Sequence, residues 1–402
     1  MSDELPFSGI KVFDATQGVA GPHATMLLAQ YGAEVTKIEP LEGDWGRTLG
    51  KMYGDLCAHA ITFNRGKKSI ALDLKNKDGL AIAQKLAREA DVVVESFRPG
   101  VMKRFGLGYD DLKPHNEKLV YLSVTGFGQE GPYSKLPVTD SVIQAFSGWM
   151  TLHRDAEGTP MRSGIIAIDV MTGLYAFQSI AAALMRQFRF GKGGYIDCSL
   201  MQSAAAFQAA KMMEWHLEGG QPQVLYVPVG TMKTKDGYIN ITAMREHHYV
   251  SLCKVLGRED LATDPRFDNR DKRIEREKEL MPMIREEFLK KTTDEWVKEL
   301  TEAGVMNAKV SNYDDFMADE HVKAVNSIAW VDHQSMGSLP MANIPGLPKI
   351  AGAGEFTECP HVGQHSLEIL KRAGYSDAEI ADFLAGKAVG TELPLKEAAA
   401  AE

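Results

Sequence analysis

The sequence predicts an α/β protein, with a Rossmann-type sheet domain and a second, smaller α+β domain. Three observations carry that prediction. Short apolar strands alternate with helix-period segments through the first 125 residues, the pattern of repeated strand–helix–strand units. The carboxyl ends of the strands run into loops bearing glycine or arginine, and that edge of an open α/β sheet is where ligands bind. After Gly219-Gly-Gln-Pro222 the texture changes to a hairpin followed by charged helices, which sets off a smaller domain at about 225–325.

Residues 10–13 read as the first strand. A loop of small residues follows, with Gly18, Ala20 and Gly21, then a helix over 23–31 and a strand over 34–38. No Gly-x-Gly-x-x-Gly follows the first strand, so a dinucleotide is not implied. The small residues fit either a tight turn or close approach of a ligand to the backbone. Residues 41–64, with Gly43, Gly46, Gly50 and Gly54, read as a long surface excursion. A basic stretch then leads into an alternating strand that reaches Lys75. A helix over 77–89 and a buried strand over 91–97 come next. Pro99-Gly100 turns the chain into a helix carrying Lys103 and Arg104, and 119–124 is another strand. Lys67, Lys68, Lys75, Arg98, Lys103 and Arg104 would make the ligand edge positive, with phosphate as counterpart; a solvated charged surface is the plain alternative.

Residues 164–173 are the stretch around which the rest is organised. Asp169 sits among aliphatic neighbours where a long apolar helix begins, running to about Arg186. An aspartate there fits an N-cap. It also fits a carboxylate held ready as a nucleophile, and the two roles are compatible. A turn at 189–194, a strand and a helix over 201–218 complete the first part, 1–224. In 225–325 a hairpin centres on Asp236-Gly237, and charged helices cover 271–291 and 294–303. In 326–402, residues 340–348 hold three prolines and read as an extended linker. Residues 363–384 are helical again and close the structure, and the Ala/Glu-rich tail from Lys396 frays.

Composition narrows the function. The 402 residues are 44% hydrophobic and 25% charged, with net charge -9, which argues against a nucleic-acid partner. Cys57, Cys198, Cys253 and Cys359 show no metal-ligand spacing, so no metal is expected, and reduced thiols point to the cytoplasm. The first residues lack a signal-peptide core, and no apolar run is expected to reach transmembrane length, so no membrane partner is expected.

Several stretches together resemble the family III CoA-transferases, the CaiB/BaiF family that includes formyl-CoA and carnitine CoA-transferases. They are Gly9-Ile-Lys-Val-Phe-Asp14 with Ala20-Gly-Pro22, and Gly32-Ala-Glu-Val-Thr-Lys-Ile-Glu39. Next come Asn64-Arg-Gly-Lys-Lys-Ser-Ile-Ala-Leu-Asp73, Asp91-Val-Val-Val-Glu-Ser-Phe-Arg-Pro-Gly100 and Ser123-Val-Thr-Gly-Phe-Gly128. Gln144-Ala-Phe-Ser-Gly148, Gly191-Lys-Gly-Gly194, Gly363-Gln-His-Ser366 and Gly374-Tyr-Ser376 complete the set. The resemblance implies a large Rossmann-like domain built from both chain ends, a smaller middle domain, and two protomers interlocked as a homodimer.

It also implies chemistry. The family's catalytic aspartate falls on Asp169, whose carboxylate would attack an acyl-CoA thioester to give a mixed anhydride and then an aspartyl-CoA thioester. Ile165, Ile166 and Ile168 would keep water from the anhydride. CoA contacts fall on Gln17 and Ala20, on Leu72 and Lys75, on Ser96 and Phe97, and on Arg104. Lys75 and Arg104 suit phosphate, while Phe97 or Phe105 suits adenine stacking, with core packing the alternative for Phe97. CoA and acyl-CoA enter as substrates, and no tightly bound cofactor is implied. Asp140 falls where formyl-CoA transferase has an active-site glutamate, so it is expected to orient substrate or to make a structural ion pair. Arg162 and Arg245 are candidates to hold the second carboxylate of a dicarboxylic acid. Two departures weigh against formate or oxalate as the substrate pair. Val19 stands where that enzyme has a glutamine, and 225–233 has one glycine, Gly230, in place of a poly-glycine loop. The alternative is an acyl-CoA racemase or isomerase of the same fold. Its histidine aligns with Thr139, which cannot serve as a base near neutral pH.

Overall fold

The computed structural model describes residues 5–155, 157–222, 224–333 and 336–391, so the tail expected to fray lies outside the described residues. The chain divides into two compact units, Met1–Ala209 with Asn326–Glu402, and Ala210–Val325. The division after Ala209 comes earlier than Gly219 and Gly220, the residues that mark it in the sequence.

The larger unit is organised on one seven-stranded sheet. Its strands are β1 Lys11–Ala15, β2 Glu34–Glu39, β3 Lys68–Leu72, β4 Val92–Glu95, β5 Val120–Thr125, β6 Gly194–Ser199 and β7 Val389–Gly390. Their order is β7-β3-β2-β1-β4-β5-β6, and all pair in parallel except β7. The 3-2-1-4-5-6 core is the Rossmann order, which reverses between β1 and β4. Both faces of the sheet are covered, so β4 is buried throughout, and its first three residues are an apolar run that ends at Glu95. Period-2 alternation still sorts its side chains. Val12, Val92, Val94 and Leu122 enter one core, while Phe13, Val93, Ile70 and Tyr121 enter the other. The C-terminal return supplies Ser366–Arg372, Asp377–Ala385 and then β7, with Val389 opposite Leu72.

Three helices position the site: α1 (Ala20–Gln30), α2 (Asp140–Phe146) and α3 (Ala167–Phe190). Every residue of α1 is buried, because α1 lies between the sheet and α3. At 24 residues, α3 begins earlier and ends later than its sequence pattern suggests. It is long and apolar enough to cross a membrane by length and composition, which corrects the expectation that no run reaches that size. Ile168, Met171, Ala176, Ile180 and Leu184 lie in the core of the sheet unit, so packing accounts for one apolar face. Leu174, Met185 and Phe188 form an exposed apolar stripe on another.

Two further readings are corrected. Residues 41–64 are not a surface excursion. They form the 3-10 turn Trp45–Thr48, a short ribbon (Met52–Tyr53 with Leu56–Cys57) and the helix Ala58–Asn64. Leu56, Cys57, Ala60 and Ile61 bury one face against Ala329, Val331, Met341 and Cys359, contacts that the glycines in the stretch conceal. Pro340 belongs to a strand, Gly337–Ala342, paired antiparallel with Ile328–His333. In this two-stranded sheet both strands are edges, where proline is tolerated.

The smaller unit has its own core, including Ile239, Ile241, Leu252, Phe267, Ile284 and Trp296. Its antiparallel sheet orders Met306–Lys309, Tyr238–Thr242 and Val229–Lys233. The Thr234 hydroxyl accepts from the Gly237 amide and so closes the hairpin turn. The charged stretch expected at 271–291 is two helices, Arg270–Glu275 and Glu277–Phe288. Arg273 of the first is buried and pairs with Glu246 at 2.6 Å.

Candidate active site

The chain reverses its order between β1 and β4, and the loops after those strands meet there. The Gln17 amide donates to the Ser96 hydroxyl at 2.8 Å, across the switch point. The Gly18 amide donates to Asp44 Oδ1 at 2.9 Å. Asp44 Oδ2 pairs with Lys37 Nζ at 3.0 Å, and Lys37 also donates to the Thr16 carbonyl at 2.9 Å. Both charges are buried, so each depends on the other. Burial works against the charge of Lys37, but Asp44, Asp14 and Glu39 hold its pKa above the usual lysine range. Gly18 has φ +80°, and a Cβ there would lie 2.4 Å from the Trp45 ring, so only glycine fits. The loop from Thr16 to Ala20 is therefore tied at three points before it enters α1.

One glycine brings α3 against that loop. A Cβ on Gly173 would stand 2.6 Å from His23 Nδ1 and 2.9 Å from the Ala20 carbonyl. Gly173 thus lets α3 touch the start of α1. Asp169 is four residues earlier, one turn along on the same face. His23 Nδ1 lies 3.0 Å from the Val170 carbonyl, and burial pushes its pKa down to about 4.

Asp169 is not the N-cap. It occupies the third position of α3, and the N-cap is Ile166, which offers no side-chain bond. The cap comes from α2. Asp140 Oδ1 accepts from the amides of Ile168 at 2.7 Å and Asp169 at 3.1 Å. Asp140 is buried as a remote helix cap, and among the described residues no cation pairs with it. Among the described residues nothing donates to the Asp169 carboxylate. Burial, and then the neighbouring Asp140 charge, push its pKa up to about 7. A half-buried carboxylate at a helix N-terminus, with no donor among the described residues and its pKa raised to about 7, takes up and gives up its proton near neutral pH.

The other expected residues are placed as follows. Gln17 is half-buried and Ala20 buried at the tied loop. Leu72 closes β3 with its side chain in the core, so contact with a ligand there would be through its backbone. Lys75 is exposed just beyond it. Ser96 holds Gln17, and Phe97 packs on the core while its amide donates to Glu95 Oε2 at 2.7 Å. Arg104 is exposed at the end of the Val101–Arg104 turn. Arg98 and Lys103 line a cavity of about 340 Å³ with Tyr109, Tyr121 and Tyr195. Glu95 also lines it, and burial pushes its pKa up to about 7. Lys67 and Lys68 do not present free charge on this edge. Lys67 is buried and paired with Asp14 at 3.0 Å, and Lys68 opens β3 at the opposite end, paired with Glu368. Arg162 is exposed on the segment leading to Ser163, and Arg245 is exposed in the smaller unit as the N-cap of Glu246–Val255.

Sequence reasoning missed Asp44, Gly173 and Gln144. Gln144 is fully buried and donates to Asp140 Oδ2 at 2.5 Å. Its signal was the four-residue spacing from Asp140, which puts both on one helix face.

The comparisons with known proteins agree with this architecture. The model of CoA-transferase family III matches residues 7–366. The chain is 33% identical over 401 residues to the Homo sapiens succinyl-CoA:glutarate CoA-transferase, covering 97% of this chain and 91% of that one. It is 36% identical over 308 residues to the acetyl-CoA:oxalate CoA-transferase of Acetobacter aceti, covering 75% and 79%. The crystal structure of a CaiB/BaiF family protein from Brucella suis superposes with a TM-score of 0.81 at 30% identity, covering 92% of this chain and 100% of that one. A match of this extent, on a Rossmann-order sheet, makes the chain a transferase enzyme of CoA-transferase family III.

Proposed function

We propose that this enzyme moves CoA from an acyl-CoA donor to a small carboxylic acid, dicarboxylic acids included, through covalent intermediates on Asp169. The observation that carries the reading is the Asp169 carboxylate itself, without a hydrogen-bond donor among the described residues and one turn from the Ala20 contact. The names of the relatives, which act on glutarate and oxalate, support small acids as the substrate class. The oxalate relative also keeps oxalate among the acids to be tried, despite the departures at Val19 and Gly230.

The carboxylate oxygen of Asp169 attacks the thioester carbon, and the C–S bond breaks to release CoA thiolate and leave a mixed anhydride. The thiolate attacks the aspartyl carbon, expelling the donor acid as its carboxylate and leaving an aspartyl-CoA thioester. The acceptor carboxylate attacks that thioester and frees the thiolate again. The thiolate then takes the acceptor's acyl carbon, and Asp169 is regenerated. A carboxylate acceptor has no better leaving group than oxide, so exchange through an anhydride supplies the activation. Loops at Gln17, Ala20, Lys75, Ser96 and Arg104 hold the CoA in this reading. The racemase alternative is not favoured, since the named relatives are CoA-transferases.

The interlocked homodimer belongs to the same proposal. The exposed stripe of Leu174, Met185 and Phe188 supports a covering partner, and light scattering of the purified protein tests it. The activity is tested by offering succinyl-CoA and acetyl-CoA with a panel of mono- and dicarboxylic acids, beside an Asp169→Ala control. New acyl-CoA masses that vanish in the control are expected. Transfer that survives Asp169→Ala would sink the mechanism.

A further inference from the structure

Apart from the nucleophile, one buried side chain ties its surroundings together. Gln144 Nε2 donates to Asp140 Oδ2 at 2.5 Å and stands 3.4 Å from the Ile165 carbonyl. Gln144 Oε1 accepts from the Ser163 amide at 2.9 Å and lies 3.2 Å from its hydroxyl. One amide thus bridges the carboxylate that caps α3 and the segment that leads into α3. Asp169, at the third helical position, stands where an acidic residue commonly reaches back to the N-cap amide. Among the described residues it accepts no such bond here, while Asp140 Oδ1 accepts the amides of Ile168 and Asp169. A carboxylate that accepted those amides would ionise more easily and attack less readily.

We propose that Gln144 is a positioning residue for Asp169: by donating to Asp140 and accepting from Ser163, it keeps Asp140 as the cap of α3 and leaves the Asp169 carboxylate unbonded for attack. The inference rests on the reading of Asp169 as nucleophile and extends it to the residue that sets its state. Asp140 is the charge that bears on Asp169, and α1 faces the same turn with His23, which burial keeps neutral at pH 7. Loss of the Gln144 bridge loosens Asp140 and lets Asp169 turn onto its own helix end.

Two variants test this. Gln144→Met keeps volume and removes both hydrogen bonds. Gln144→Glu keeps the acceptor for Ser163 but offers Asp140 a hydrogen only when protonated. Carbodiimide reacts with protonated carboxyls, so labelling of the Asp169 peptide against pH, read by mass spectrometry, follows its protonation without any substrate. In Gln144→Met the half-labelling pH should fall by about one unit or more, a tenfold change in proton affinity. With succinyl-CoA and glutarate as probe, kcat should fall about tenfold and KM for succinyl-CoA stay within about twofold. Gln144→Glu should lose rate as pH rises, relative to the parent. An unchanged half-labelling pH in both variants, whatever happens to kcat, would reduce Gln144 to a packing residue and overturn the proposal. If circular dichroism shows Gln144→Met unfolded, the pH profile of Gln144→Glu decides alone. A labelling shift in a protein that exchanges no CoA would leave the positioning role intact and refute the transfer reading instead.

Discussion

Replacing Asp169 with asparagine should abolish transfer and also stabilise the protein, increasingly so as pH rises. The folded protein raises the Asp169 pKa from its ordinary 3.8 to about 7, first by burial and then through Asp140. The folded state therefore binds this proton more tightly than the unfolded chain does. Its contribution is most favourable below pH 3.8, declines as pH rises toward 7, and is flat above that. The full difference corresponds to about 4 kcal/mol at pH 8. Because Asp169 is half-buried, water screens part of this, and about 2 kcal/mol is the working figure. Asparagine has the same shape and never ionises, so Asp169→Asn recovers that amount. Scanning calorimetry of both proteins at pH 5 and pH 8 measures it. The variant should melt a few degrees higher at pH 8, with a clearly smaller gain at pH 5. Equal gains at the two pH values, or a lower melting temperature at pH 8, would show that the carboxylate ionises without cost and has a donor after all. The parent's kcat/KM should carry an acid limb near pH 7, because the nucleophile must be ionised.

Gly173→Ala puts a methyl carbon within 2.9 Å of the Ala20 carbonyl, a backbone atom that cannot swing away. Urea unfolding should show a loss of about 1–3 kcal/mol, and transfer should weaken as α3 is pushed off the loop. Asp44→Ala strands the buried Lys37 ammonium and removes the acceptor of the Gly18 amide. A loss of about 3–5 kcal/mol is expected, with a raised KM for acyl-CoA; an unchanged KM would free the loop after β1 from any part in binding.

Much of this was legible along the chain. The parallel strands of the sheet could be read, though not the antiparallel β7, because a parallel sheet covered on both faces demands apolar runs such as Val92-Val-Val. Asp169 could be placed at the start of a long apolar helix because helix patterning is local. The motif set that resembles CoA-transferase family III runs across the same residues that the family model later matches. The hidden helix at Ala58–Asn64 was lost because its apolar residues follow a glycine-rich stretch and pair with residues near 330 and 359.

By itself, then, the sequence determined the local periods, the turn chemistry and the residue type at each strand end. Those follow from side chains a few positions apart. Only the tertiary structure decided what each charged group does, since electrostatics depends on distance and burial rather than on order. It put Lys67 against Asp14 in the interior and Lys68 at the far end of β3, although both belong to one basic run. It set β7 beside β3 and so sealed Leu72 in the core. It also gave the capping of α3 to Asp140, 29 residues before Asp169, whose own carboxylate has no donor among the described residues.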